Sequence, residues 1–136
     1  MSTSCIFCEI ANGRIPSIRI HEDADFIAFL DINPITRGHL LIITREHYPN
    51  TLDVPDTLLA KALPLAKRLA AAALAGVGAE SFNILVNNGT ASGQAVGHWH
   101  LHVIPRKTRS EFPFKEGGPA DLTQLPFTAA DIRSHL

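Results

Sequence analysis

The sequence predicts one α+β domain built on a mostly antiparallel five-stranded sheet, and three observations carry that prediction. Five short segments have the length and apolar content of strands. One amphipathic segment has the length of a long helix. The strands fall in hairpin-like neighbours rather than alternating with helices, which favours helices on one face of the sheet. The chain has 136 residues, which suits a single domain over 1–136. A chain of that size buries roughly two-thirds of its unfolded surface and needs no disulfide to fold.

A helical turn is expected around Phe7 to Asn12, after which Gly13 and Pro16 punctuate the chain. Ile18–Glu22 and Phe26–Leu30 read as strands separated by the acidic turn Glu22–Asp25. Pro34 and Gly38 bound a loop, and His39–Thr44 (HLLIIT) reads as a strand buried on both faces. Asp53 is placed as N-cap of the long helix, which runs from about Pro55 to Ala75. Leu58, Ala62, Leu65, Leu69 and Ala72 form its apolar stripe, with Lys61, Lys67 and Arg68 away from it. Pro64 removes one amide donor inside this helix and predicts a kink, and Gly76 and Gly78 end it. Strands resume at Ser81–Asn87 and His98–Ile104, joined by the glycine-rich loop Asn88–Gly97. Pro105 is expected to stop the last strand. A short closing helix is placed from Thr128, which has capping-box spacing to Asp131.

Composition narrows the function. Apolar residues make up 46% and charged residues 18%, a globular balance, and the net charge is −1 with histidine neutral. No global positive field draws the chain to nucleic acid or anionic lipid, so a phosphate ligand needs a local site. The sequence shows no long apolar span and no basic start followed by an apolar run, so neither a membrane anchor nor a signal peptide is expected. The cytoplasm is the expected setting, where Cys5 and Cys8 are thiols or metal ligands rather than a structural disulfide.

Histidine is out of line, with seven copies, three of them in Gly97-His-Trp-His-Leu-His-Val-Ile-Pro105. Strand alternation puts His98, His100 and His102 on one face and Trp99, Leu101 and Val103 on the other. Chance yields such a triplet in about one chain of this composition in fifty, so the triplet alone does not decide between chemistry and a polar or metal-binding face. A neutral imidazole can attack phosphorus and split one hard displacement into two easier ones. The loop upstream, NNGTASGQAVG, offers glycines for close backbone approach and Asn and Gln donors, without the Gly-Lys-Ser/Thr ending of a P-loop.

The triplet after a Gly-Gln loop resembles the signature of the histidine triad (HIT) superfamily. The resemblance extends to CIFCEI with its Gly and Ile-Pro (Cys5–Pro16), to AFLDINP (Ala28–Pro34) and to GHLLIITREH (Gly38–His47). It covers about Cys5 to Arg106 and is similar to the Hint-like branch, particularly its bacterial zinc-containing members. It implies that His100 is the nucleophile, that His102 contacts the phosphate and supports the nucleophile, and that His39 helps orient and tune His100. It further implies Asn87 at the phosphate, Asp31 at the ribose hydroxyls, and Phe7, Ile10 and Ile32 at the base. For those three, core packing is the alternative; for Asp31 it is a turn cap before Pro34. Gly93, Gln94 and Ala95 fall in the nucleotide loop. Many relatives place Ser or Thr after the loop glutamine, where this chain has Ala95, which puts one hydrogen bond in doubt.

Cys5-x-x-Cys8 reads as a metal site, a redox pair or two plain thiols. A redox pair should follow a strand in a βαβ unit, which the pattern lacks. The resemblance implies His47 and His98 as partners, giving one closed structural Cys₂His₂ zinc site per chain. It also implies a homodimer. The expected activity is hydrolysis of purine nucleoside phosphoramidates or related AMP or GMP conjugates through a nucleotidyl-histidine. A dinucleoside polyphosphate hydrolase, a nucleotide-binding module and a zinc protein whose triad serves only metal are the alternatives. Trp99 is expected in the core or a subunit contact, and His21 and His135 in solvent. The tail, residues 107–136, matches the family poorly.

Overall fold

Five strands form one sheet in the order β1-β2-β3-β5-β4, every neighbouring pair antiparallel. They are β1 (Arg19–Glu22), β2 (Phe26–Leu30), β3 (Leu40–Thr44), β4 (Ser81–Leu85) and β5 (His100–Arg106). The helices are α1 (Ile6–Ala11), α2 (Asp56–Val77) and α3 (Leu125–Arg133). This computed structural model describes residues 5–109 and 117–136. Among them no helix is long and apolar enough to cross a membrane.

Alternation along the central strands builds two cores. Phe26, Ala28, Leu40, Ile42, Leu101 and Val103 turn to one face and pack with Trp99 against α2. Ile27, Phe29, Leu41 and Ile43 turn to the other, where Phe7 and Ile10 of α1 cover them. The expectation of helices on one face therefore fails for α1. That short helix carries Cys5 and Cys8 to His98, so its position follows the histidine face.

Other boundaries differ for local reasons. Asp53 does not cap α2; it lies in a 3-10 turn, Thr51–Asp53, where its carboxylate accepts the Asn50 N–H at 3.1 Å and Asn50 Oδ1 accepts the Leu52 N–H at 2.9 Å. Helix α2 starts after Pro55 and runs through the exposed Pro64 and through Gly76 to Gly78, which is left-handed at φ 74°. Its buried stripe is Ala62, Leu65, Ala66, Leu69 and Ala70; Ala72 is exposed and Leu58 half-buried. Strand β4 ends at Leu85 rather than Asn87, and β5 begins at His100 rather than His98.

Pro105 does not stop β5 but lies within it, opposite Phe82. The β3–β5 pairing goes no further than Leu40 opposite Val103, so Pro105 meets a loop there, its carbonyl accepting the Thr36 hydroxyl at 2.6 Å, and its missing amide costs no ladder bond. Helix α3 starts at Leu125 with proline in its first turn, and Thr128 lies inside it, donating to the Gln124 carbonyl at 3.2 Å. Trp99 is core: its indole N–H donates to Thr51 Oγ1 at 3.0 Å.

Candidate functional site

Strand β5 is the spine of the site. Its register sets Ile43 opposite His100 and Leu41 opposite His102, so both imidazoles stand on the face that α1 covers. His39 precedes β3 after Gly38. Gly38 has φ +92°, and a Cβ there would lie 2.9 Å from a Val77 methyl, so only glycine lets the chain enter β3 this close to α2.

Hydrogen bonds fix the tautomers. His100 Nδ1 lies 2.7 Å from the His98 carbonyl, which can only accept, so Nδ1 carries the proton and Nε2 keeps its lone pair. The Ile35 N–H donates to His39 Nδ1 at 3.0 Å, so neutral His39 carries its proton on Nε2. That N–H faces His102 Nδ1 at 2.9 Å and makes it an acceptor, which leaves the His102 proton on Nε2. Three imidazoles thus present one free lone pair and one wired donor chain.

Burial keeps these rings neutral. His39 and His100 are 2% and 5% exposed, and burial lowers both pKa values below the ordinary histidine value; Asp31 opposes this at both. Burial, then the adjacent His100 and His39 rings, push His102 down to about 4.

At the other end of the same face lie Cys5, Cys8, His47 and His98. His98 Nε2 donates to the Thr44 carbonyl at 2.7 Å, so its lone pair is on Nδ1. Nδ1 sits 3.3 Å from Cys5 Sγ and 3.6 Å from Cys8 Sγ, and His47 Nδ1 sits 3.4 Å from Cys8 Sγ. Bonds of about 2.3 Å to sulfur and 2.0 Å to nitrogen at tetrahedral angles put S and N about 3.5 Å apart. Two sulfurs and two nitrogens, all within 4.8 Å of one another, fit a closed zinc site. Asp31, His39 and His102 also gather three possible ligand atoms. They fit a metal poorly, because neutral His39 has its proton, not a lone pair, on the inward nitrogen.

A family model described as the HIT domain matches residues 12–109. The chain belongs to the HIT family. Adenosine 5′-monophosphoramidase hnt1 of Schizosaccharomyces pombe is 41% identical over 131 residues, which is 96% of this chain and 92% of that protein. Adenylylsulfatase HINT3 of Arabidopsis thaliana is 39% identical over 109 residues, 80% of this chain but only 55% of that longer protein. Among solved structures, a Streptococcus mutans UA159 protein superposes with a TM-score of 0.91 at 37% identity, covering 98% of this chain and 85% of that one. A Zn-bound histidine triad family protein from Mycobacterium smegmatis gives 0.78 at 37% identity, with both chains fully covered. These relatives place the chain in the Hint-like branch.

The remaining HIT positions are distributed unevenly. Asp31 stands 3.5 Å from His39 Nε2, and its other oxygen accepts the Asn33 N–H at 2.8 Å, so it is a turn cap as well as a member of the site. Phe7 and Ile10 are buried in the core, whereas Ile32 is 84% exposed. Phe7 meets a catalytic candidate, its ring 5.0 Å from that of His100. Asn87 lies beside Gly93, its amide nitrogen 3.8 Å from where a Cβ would stand. The expected Gln94 side-chain donor is used internally: its amide donates to the Pro49 and Val96 carbonyls at 2.7 and 3.0 Å, and its oxygen accepts the Gly89 N–H at 2.7 Å. The Gly93 and Gln94 amides also turn inward, to the Thr90 and Gly89 carbonyls. Ala95 is exposed. His21 is not free in solvent; it bonds Asp23 at 2.8 Å, and His135 is exposed.

Sequence reasoning missed Phe29 and the Ile35 amide. Phe29 packs 5.8 Å from Phe7 on the histidine side. Its signal was available, because it lies two residues before Asp31 on a strand. The Ile35 N–H had no sequence signal, since its role depends on how the loop folds back to His39.

Proposed function

We propose that this HIT protein is a hydrolase of nucleotide conjugates that works through a nucleotidyl-histidine at His100, with purine nucleoside phosphoramidates as its substrate class. The observation that carries this reading is the 2.7 Å bond from His100 Nδ1 to the His98 carbonyl, which leaves Nε2 as a buried, unprotonated nucleophile. Relatives named as an AMP phosphoramidase and an adenylylsulfatase support adenylyl conjugates in particular.

In the first step the Nε2 lone pair of His100 attacks the α-phosphorus, an Nε2–P bond forms, and the P–N bond to the leaving amine breaks. The amine takes a proton from solvent, because Ala95 offers no hydroxyl to deliver one. The wired Nε2–H of His102, the Ala95 amide and Asn87 are the proposed donors to the phosphoryl oxygens. Water then attacks phosphorus, the Nε2–P bond breaks, and the nucleoside monophosphate leaves. The electron pair returns to His100, and the water's displaced proton goes to solvent. Asp31 is assigned to the ribose hydroxyls. Exposed Ile32 is assigned to one side of the base, with Phe7 and Ile10 beneath it.

Cys5, Cys8, His47 and His98 are the residues that would hold zinc, which supplies cross-linking rather than Lewis acidity in a closed site. The reduced thiols that this needs fit a cytoplasmic setting. A homodimer is proposed along the β4 edge, where Phe82 and Ile84 are 41% and 37% exposed.

Intact-mass analysis with an adenosine phosphoramidate tests the reading. Wild type should release AMP and show an adenylyl adduct that maps to His100; H100A and H100G should do neither. Binding of AMP without release from phosphoramidates or dinucleoside polyphosphates would make the protein a nucleotide-binding module instead.

A further inference from the structure

Helix α1 is held between the cysteine cluster and the nucleophile. Cys5 is its N-cap, accepting the Cys8 N–H, and Cys8 lies one turn along. Between them Phe7 is buried and meets two histidine rings edge to face, His98 at 5.9 Å and His100 at 5.0 Å. His98 makes the second connection: its ring nitrogen faces both sulfurs, while its carbonyl accepts the His100 Nδ1–H. Two independent contacts, one through backbone and one through an aromatic edge, therefore run from the cluster to the nucleophile.

We propose that the Cys5–Cys8–His47–His98 cluster, joined through a metal ion, positions His100, with the His98 carbonyl and Phe7 as positioning elements. The proposal rests on the readings of His100 as nucleophile and of the cluster as a metal site, and adds that the second controls the first. A six-residue helix does not hold itself in water, so α1 depends on its anchors. With the ligands joined, the His98 side chain is fixed at both ring nitrogens, by the cluster and by Thr44, and its carbonyl is fixed with it. With the ligands parted, α1 frays, Phe7 leaves the His100 edge, and water competes with the His98 carbonyl for Nδ1–H. The imidazole then samples both tautomers, and Nε2 presents its lone pair only part of the time.

The test is ¹⁵N NMR of histidine-labelled full-length protein, run with metal-loaded, chelator-stripped, C8S and C8H samples at a temperature where circular dichroism stays native. Loaded protein should show the widely split pair of ¹⁵N shifts that marks one tautomer at His100. Stripping or C8S should collapse that splitting and lower kcat about 10-fold with KM within about twofold, the scale of losing an outer-shell partner. C8H, which can still ligate, should restore both. If stripping and C8S unfold the chain, F7L keeps all four ligands and decides: positioning predicts lower kcat, ~3-fold for one aromatic contact, with partial collapse of the splitting. A rise in KM with kcat and the His100 splitting unchanged would leave Phe7 only the base contact already assigned to it and overturn the proposal. So would an unchanged His100 splitting and kcat in protein shown to be metal-free. Protein that purifies without metal and takes up no zinc or cobalt overturns the metal reading and the proposal together. An adduct that maps elsewhere, while the splitting still follows metal, overturns only the nucleophile reading.

Discussion

Two histidine clusters share one face of the sheet, and they differ in which ring nitrogen is already spoken for. At His98 the outer nitrogen, Nε2, donates to the Thr44 carbonyl, so the inward nitrogen offers a lone pair to the cysteine side. At His39 the outer nitrogen, Nδ1, accepts from the Ile35 amide, so the inward nitrogen offers a proton to His102. Each cluster gathers at least three residues with metal-ligating atoms. A single backbone group, a carbonyl in one case and an amide in the other, turns one into a ligand set and the other into a proton-donor chain.

Metal content gives the largest effect that could break this contrast. We expect one zinc per chain, and a chelator should lower the melting temperature by more than ~10 °C, since structural zinc binding rivals a domain's whole net stability. Two ions per chain, or a ligand shell without sulfur, would remove the distinction between the clusters.

The donor chain is tested next. H39L removes the proton that His39 presents to His102 and should lower kcat about 10–100-fold, the range for losing a group that hydrogen-bonds and orients a functional histidine. H39Q keeps a donor at the same reach and should recover part of the loss. Equal activities for the two variants would mean that His39 acts by packing alone.

Acid stability sharpens the same point. The folded pKa of His102, about 4, lies below the unfolded value of about 6.5, so protons favour the unfolded chain. Its contribution is complete above pH 6.5 and is lost as the pH falls toward 4. The melting temperature of wild type should therefore drop more steeply between pH 6.5 and 4.5 than that of H102Q. Metal loss in acid is common to both proteins and does not produce the difference. Parallel slopes would mean that His102 is not buried as a neutral ring.

Much of this contrast was legible before the fold was known, and the illegible part has one cause. Strand β2 runs over the residues the sequence assigned, Phe26–Leu30, because an acidic turn precedes it and apolar residues fill it. Alternation placed the three histidines on one face, and the family motifs named all four members of the cysteine cluster. What could not be read depends on backbone groups brought from elsewhere in the chain. The Thr44 carbonyl, the Ile35 amide and the Pro49 carbonyl decide what His98, His39 and Gln94 do, and no side-chain pattern encodes them. Pro105 fails as a strand stop for a related reason: what matters is whether a neighbouring strand remains beside it, which is a tertiary fact.

The smallest expected effect concerns a loop position where this chain departs from the pattern of many relatives. Ala95 is exposed in the glycine-rich loop, and Gln94 beside it is fully occupied in bracing that loop. The loop geometry therefore does not depend on residue 95, and A95S should leave both clusters and the melting temperature unchanged. A serine hydroxyl there can donate to the leaving nitrogen, which otherwise waits for solvent. The gain should depend on the leaving group: a fewfold rise in kcat for alkylamines, which need the proton as the bond breaks, and little change for acidic anilines, which do not. A uniform rise across leaving groups would point instead to better phosphate binding. No change for any of them would mean that breakdown of the nucleotidyl-histidine limits turnover, a step in which the amine has already gone.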